Sequence, residues 1–239
     1  MNIADNLKVI NENIARAAKK SGRQASDITL IAVTKSVSPQ ALLNELDILR
    51  EGGVNNLGEN RVQELAAKQP LCGNDIAWHM IGNLQRNKVR NVVGRAALIH
   101  SLDSMRLAEE ISRIAVRENV TADVLIEINI AGEDTKHGIV PEETMKFAAE
   151  AALLPNIVIK GLMTIAPFVD NAEENRPHFH KMAQLFAKLK TAGHNNICHL
   201  SMGMTVDYEF AIEEGATMVR IGTAIFGERP TGGQYEQTL

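Results

Sequence analysis

The chain has 239 residues, 45% hydrophobic, 23% charged and 4% aromatic, with a net charge of −4. This near-average composition excludes wholesale disorder, collagen and coiled coil, and mild acidity with few aromatics argues against a dedicated nucleic-acid surface. No apolar run approaches the ~18–20 residues of a membrane span, the charged start (Asp5, Lys8, Glu12, Arg16) has no signal-peptide core, and Cys72 and Cys198 make no disulfide framework, so a cytoplasmic α/β protein is expected.

Ile3, Leu7, Ile10, Ile14 and Ala18 recur at steps of three or four. They predict an amphipathic helix over about 2–20, with Gly22 as its stop. A rhythm then begins. Short β-branched or apolar runs predict strands at 28–34, 54–57, 76–82, 97–101, 123–130, 157–164, 197–201 and 218–221. Helix-like stretches lie between them at 39–51, 61–68, 85–92, 104–119, 141–153, 172–192 and 206–214. Asp103 and Ser104 are start signals, and Pro141 suits a first helical turn. Alternating strands and helices imply parallel pairing through right-handed crossovers. Eight such strands predict one domain, a closed (β/α)8 TIM barrel over about 28–227 with a short tail at 228–239.

In such a barrel the chemistry sits at the carboxyl ends of the strands. Polar and glycine residues gather there, as in Thr34-Lys35-Ser36, Gly58-Glu59-Asn60, His79 to Gly82, Ser201-Met202-Gly203 and Arg220-Ile221-Gly222-Thr223. Lys35 ends a greasy strand, where burial disfavours an ammonium and frees the amine for Schiff-base chemistry with a carbonyl. The plainer alternative is a lysine that snorkels to water. Barrels often bind phosphate at the loops after strands seven and eight, where glycine admits backbone N–H groups to the anion. Ser201 and Thr223 add hydroxyl donors at those two positions, although glycine and serine are also ordinary turn residues. Strands one and eight are neighbours in a closed barrel, so a carbonyl site and a phosphate site share one mouth. Those two groups on one ligand describe pyridoxal 5′-phosphate (PLP), and Arg220 is then placed to meet the pyridine nitrogen. A cation there opposes protonation of that nitrogen and weakens the ring as an electron sink. The alternative partner for Arg220 is Glu213 or Glu214.

Several segments together resemble successive motifs of one family: Ala32-Val-Thr-Lys-Ser36, Gly58-Glu-Asn60 with Val62-Gln-Glu64, Trp78-His-Met-Ile-Gly82, and His100-Ser-Leu-Asp-Ser104. Gly161-Leu-Met-Thr-Ile-Ala-Pro167, Leu200-Ser-Met-Gly-Met204 and Val219-Arg-Ile-Gly-Thr-Ala-Ile-Phe-Gly227 continue the series. The resemblance is to the pyridoxal phosphate homeostasis proteins, and it spans about 28–227 in order. It implies the fold-type III class of PLP proteins, like the N-terminal domain of bacterial alanine racemase, with Lys35 as the Schiff-base lysine. It further implies Asn60 near the ring, His79 among the cofactor-binding residues, Ser201, Gly203, Gly222 and Thr223 around the phosphate, and Arg220 at the pyridine nitrogen. Lys136 falls where the family has a lysine suspected of accessory cofactor handling. Leu57 and Arg61 depart from the family pattern, which often has an aromatic residue and a tyrosine there.

Rival signals are weaker. Lys160 precedes Gly161-Leu-Met-Thr164, so it belongs near the amino end of strand six, away from the mouth. His178 and His180 are two apart, which on a helix points the rings to different faces. Arg86, Lys88, Arg90 and Arg95 read as a solvated helix face. The expectation is a monomeric, cytoplasmic carrier that buffers PLP and passes it to apo-enzymes, with no membrane or nucleic-acid partner. The competing reading is a PLP-dependent amino-acid racemase, for which the sequence offers only Tyr208 and Tyr235 as tyrosine bases.

Overall fold

The computed structural model describes residues 2–133, 137–193 and 196–227. Lys136 and the tail at 228–239 lie outside the described residues. The strands are β1 (Thr29–Val33), β2 (Asn56–Glu59), β3 (Ala77–Met80), β4 (Leu98–Leu102), β5 (Ala122–Glu127), β6 (Ile157–Met163), β7 (His199–Met204) and β8 (Met218–Ile221). All neighbours pair in parallel and in chain order, and β8 pairs back onto β1, which closes the barrel. The helices are α1 (Ile3–Lys20), α2 (Pro39–Glu51), α3 (Val62–Lys68), α4 (Met105–Glu118), α5 (Thr144–Ala151), α6 (Arg176–Thr191), α7 (Tyr208–Glu213) and the one-turn α8 (Thr223–Phe226).

Alternation along the strands divides the core in two. Inside the barrel, Ile31, Leu98, Leu125, Met163 and Met218 form their own buried cluster. The larger cluster lies between the strands' outer faces and the helices, where α4 contributes Leu107, Ala108, Ile111, Ile114 and Ala115 at helical spacing. Each large aliphatic side chain buried there contributes about 1.5–3 kcal/mol of transfer free energy. The period of two then fixes what stands above the inner cluster. Val33, His100, Glu127 and Arg220, each two residues beyond an inner-cluster residue, point inward at the next level.

Two predicted helices differ from the structure in instructive ways. The stretch at 85–92 is a 3-10 segment, Arg86–Asn91, because its first half (Arg86-Asn87) is exposed and its buried residues, Val89 and Val92, are spaced by three. The long helix at 172–192 splits into a 3-10 turn, Ala172–Asn175, and α6. Pro177 lacks an N–H and fits only the first turn of a helix, so α6 begins beside it. The N-terminal helix packs onto the barrel: α1 buries Leu7, Ile10, Ile14, Ala17 and Ala18. Asn6 Nδ2 donates to the Ile225 carbonyl at 2.9 Å, and Asn13 Nδ2 donates to the Tyr208 hydroxyl at 2.9 Å.

Candidate functional site

β1 and β8 lie side by side, with Ile31 opposite Arg220 and Ala32 opposite Ile221, so the segments that follow them open onto one stretch of rim. A cavity of about 640 Å³ opens there, lined by Lys35 after β1, Asn60 after β2, and Arg220, Gly222 and Thr223 from β8 onward. These five expected residues are brought together. Lys35 itself is exposed, as the snorkelling alternative has it, and not buried with its strand. The strand ends at Val33, and a turn closed by the Val37 N–H on the Thr34 carbonyl at 2.9 Å carries Lys35 out over the mouth.

Arg220 forms the floor and is only 4% exposed. Nη1 donates to Ser201 Oγ at 2.5 Å and Nη2 donates to the Thr164 carbonyl at 2.8 Å. Burial lowers its pKa to about 10, against the opposing pull of Asp207 and Glu127, so it remains a cation at neutral pH. The bonds beyond Ser201 run in one direction. In the pattern that gives every buried hydrogen an acceptor, the Ser201 hydroxyl donates to His100 Nδ1 at 3.1 Å. His100 Nε2–H then donates to His79 Nδ1 at 3.0 Å, and His79 Nε2–H to Asn56 Oδ1 at 3.0 Å. Both imidazoles must be neutral for this. Burial agrees, pushing His79 down to about 4 and His100 well below its ordinary value, the latter helped by His79 and Arg220.

Ser201 and His79 therefore stand beneath the cavity, bonded to Arg220 and to one another through His100, and do not line it. Gly203 is likewise not in the lining. It has φ +90°, and a Cβ there would fall 2.6 Å from Ala211 Cβ and 2.9 Å from Tyr208 Cα, so its glycine character lets β7 pack under α7.

Some buried groups carried no role in the sequence reading. Glu127, at the inner level of β5, is 8% exposed, and burial, followed by the nearby Asp103 charge, pushes its pKa up to about 7. His100 was visible only near a predicted strand end and within one of the family motifs. The signal for both was the step of two from Leu98 and Leu125, usable once those two were known to face inward. Lys68, at the end of α3, is 1% exposed and pairs with Glu59 at 2.6 Å and Glu64 at 2.9 Å. Its four-residue spacing from Glu64 was legible; its burial was not.

The alanine racemase N-terminal domain family matches residues 6–230. The pyridoxal phosphate homeostasis protein of Aquifex aeolicus (strain VF5) is 43% identical over 96% of this chain and 99% of its own. That of Escherichia coli K12 is 41% identical over 95% and 97%. The chain belongs to the pyridoxal phosphate homeostasis protein family.

Solved relatives of this homeostasis family agree with the barrel. PipY of Synechococcus elongatus PCC7942, solved with PLP bound, superposes with a TM-score of 0.79 at 31% identity, covering 95% of this chain and all of that one (100%). Alanine racemase of Clostridium difficile 630 shares the fold, with a TM-score of 0.70 at 20% identity, and the match covers 57% of that longer chain. The rival positions lie elsewhere in the homeostasis barrel. Lys160 pairs with Asp123 at 3.4 Å, near the start of β5 and so toward the amino end of the strands. His180 Nδ1 sits 3.0 Å from the Glu214 carboxylate on the outer face. Arg220, for which that glutamate was an alternative, points inward, and Arg176 takes Glu213 at 2.6 Å and Glu214 at 2.9 Å. No helix among the described residues is long and apolar enough to cross a membrane.

Proposed function

We propose that this chain binds pyridoxal 5′-phosphate through a Schiff base on Lys35 and serves as a monomeric, cytoplasmic carrier that buffers the cofactor and delivers it to apo-enzymes. The observation that carries the reading is the convergence of Lys35, Arg220 and the Gly222-Thr223 segment on one cavity. The residues present fit the group. A volume of about 640 Å³ lies within the ordinary range of small-ligand sites. An amine stands at the rim, a buried cation at the floor, and Thr223 opens a helix whose first N–H groups have no intrahelical acceptor.

Bound there, the cofactor supplies an aldehyde that condenses with an amine and a ring that can accept electrons. Lys35 would hold the group covalently, its amine condensing with the aldehyde to a C=N bond with loss of one water. Arg220, a cation oriented by its bonds to Ser201 and the Thr164 carbonyl, presents N–H donors and so would oppose a proton on a ring nitrogen facing it. That weakens electron withdrawal and suits holding over turnover. Thr223 and the backbone beside it supply donors suited to a phosphate, and Asn60 supplies an amide at the rim. Among the described residues no tyrosine lines the cavity, and the Tyr208 hydroxyl is bonded to Asn13, between α7 and α1; Tyr235 lies outside the described residues.

The test is borohydride reduction of PLP-loaded protein followed by peptide mapping. Reduced cofactor is expected on Lys35 and absent from Lys35→Ala; reduced cofactor on another lysine of the wild type overturns the assignment. Delivery is tested separately. Release that is no faster with an apo-enzyme present than without it removes the delivery half of the reading. Robust racemisation of an amino acid, lost in Lys35→Ala, would favour the enzyme instead.

A further inference from the structure

The turn that presents Lys35 is bonded on both sides to one buried ion cluster. On the amino side, the Thr34 carbonyl accepts from Lys68 Nζ at 2.9 Å as well as from the Val37 N–H at 2.9 Å. The Thr34 hydroxyl donates to Glu59 Oε1 at 2.5 Å. On the carboxyl side, the Ser36 N–H donates to Glu64 Oε2 at 3.1 Å. Lys68 Nζ joins the two carboxylates, at 2.6 Å from Glu59 Oε1 and 2.9 Å from Glu64 Oε2.

Two features show that this cluster is not explained by stability. A buried ion pair is often no more stable than a well-packed apolar replacement, and here Glu59 Oε2 is buried with no hydrogen-bond partner among the described residues. Ser36 also has φ +65°, a left-handed conformation that a residue other than glycine keeps only when its surroundings hold it. Its N–H is the group that Glu64 grips. The cluster spends buried charge on the shape of three residues, and the middle one is Lys35.

We propose that Glu64 and Lys68 are positioning residues that clamp the Thr34–Ser36 turn and so aim the Lys35 amine into the cavity. The inference rests on the reading of Lys35 as the cofactor lysine. Neither residue touches the cofactor; both act through the backbone on either side of Lys35. Lys68 fixes the carbonyl before it and Glu64 the N–H after it. Glu59 anchors Lys68 and the Thr34 side chain.

The test compares wild type, Glu64→Ala, Glu64→Gln and Lys68→Met. The first readout is amide hydrogen exchange at Ser36 in cofactor-free protein. The second is the rate at which added PLP becomes trapped on Lys35 by borohydride, followed by peptide mapping. Glu64→Ala is expected to speed Ser36 exchange by about tenfold or more, the factor expected for one lost bond to a charged acceptor, with β1 amides unchanged. Trapping on Lys35 should slow with it. Glu64→Gln should stay near wild type on both, because its amide oxygen can accept from Ser36 and Lys68 alike. Lys68→Met strands two carboxylates and is expected to lose stability; Glu64, with a side chain 14% exposed at the cluster's edge, is the variant that keeps the question answerable. Folded Glu64→Ala with wild-type exchange and wild-type trapping overturns the clamp. So does Glu64→Gln behaving like Glu64→Ala. Failure of the wild type itself to trap PLP on Lys35 defeats the cofactor reading instead, and Ser36 exchange then judges the clamp alone.

Discussion

Glu127 and His79 oppose one another in acid, and removing either should expose the other. His79 is neutral in the fold because burial lowers its pKa from 6.5 to about 4. Below 6.5 the unfolded chain takes up a proton that the folded one refuses, so this contribution is intact at neutral pH and is lost as pH falls from 6.5 toward 4. Glu127 runs the other way. Its pKa is raised from 4.5 to about 7, so between those values the folded chain holds the extra proton and stability grows as pH falls. At about 1.36 kcal/mol per pH unit, acidification from about pH 8 to 5 removes roughly 2 kcal/mol through His79 and adds a similar amount, roughly 2–3 kcal/mol, through Glu127. His100 works in the direction of His79, and Glu59, also raised by burial, in that of Glu127. Urea unfolding of cofactor-free wild type, Glu127→Gln and His79→Gln across this range reads the difference. Relative to wild type, Glu127→Gln should lose about 2–3 kcal/mol on acidification and His79→Gln should gain about 2 kcal/mol. Stability curves for wild type and Glu127→Gln that run parallel from pH 8 to 5 would refute the account of Glu127 as a carboxyl protonated near neutrality.

Other perturbations separate structure from site. Gly203→Ala forces a side chain into left-handed backbone against Ala211 and Tyr208, and should cost about 3 kcal/mol, read as a lower thermal midpoint. Lys160→Met removes a part-exposed pair with Asp123 at the far end of the barrel. It should change stability by less than about 1 kcal/mol and leave borohydride trapping of PLP on Lys35 at the wild-type level; reduced trapping would reopen Lys160 as a rival lysine. Lys35→Ala should keep the far-ultraviolet circular dichroism of the wild type while losing the covalently trapped cofactor.

The order of elements was legible because each strand and helix carries its own period and punctuation. β8 was predicted at its observed bounds, α2 likewise, and the buried face of α1 differs only in the addition of Ala17 and the partial exposure of Ile3. Parallel pairing and closure followed from alternation, and closure set the neighbourhood of Lys35 and the Gly222-Thr223 loop. Local sequence also placed Arg220 and Asn60 at strand ends, where they line the cavity. The tertiary structure decided what each of those side chains faces. Ser201 was eligible as a phosphate donor from its position, but Arg220 and His100, from strands distant in sequence, take its hydroxyl. Lys35 was expected to be buried because its strand is. In the structure the strand stops at Val33, two residues before Lys35, and a turn held by Lys68 and Glu64, some thirty residues on, lifts the amine to the rim. Periodicity reports the preferences of a segment for water or core. It carries no record of which distant donor meets which acceptor or which carboxyl is buried, and around this site the pairing sets the tautomers of His79 and His100 and the aim of Lys35, while burial raises the pKa of Glu127.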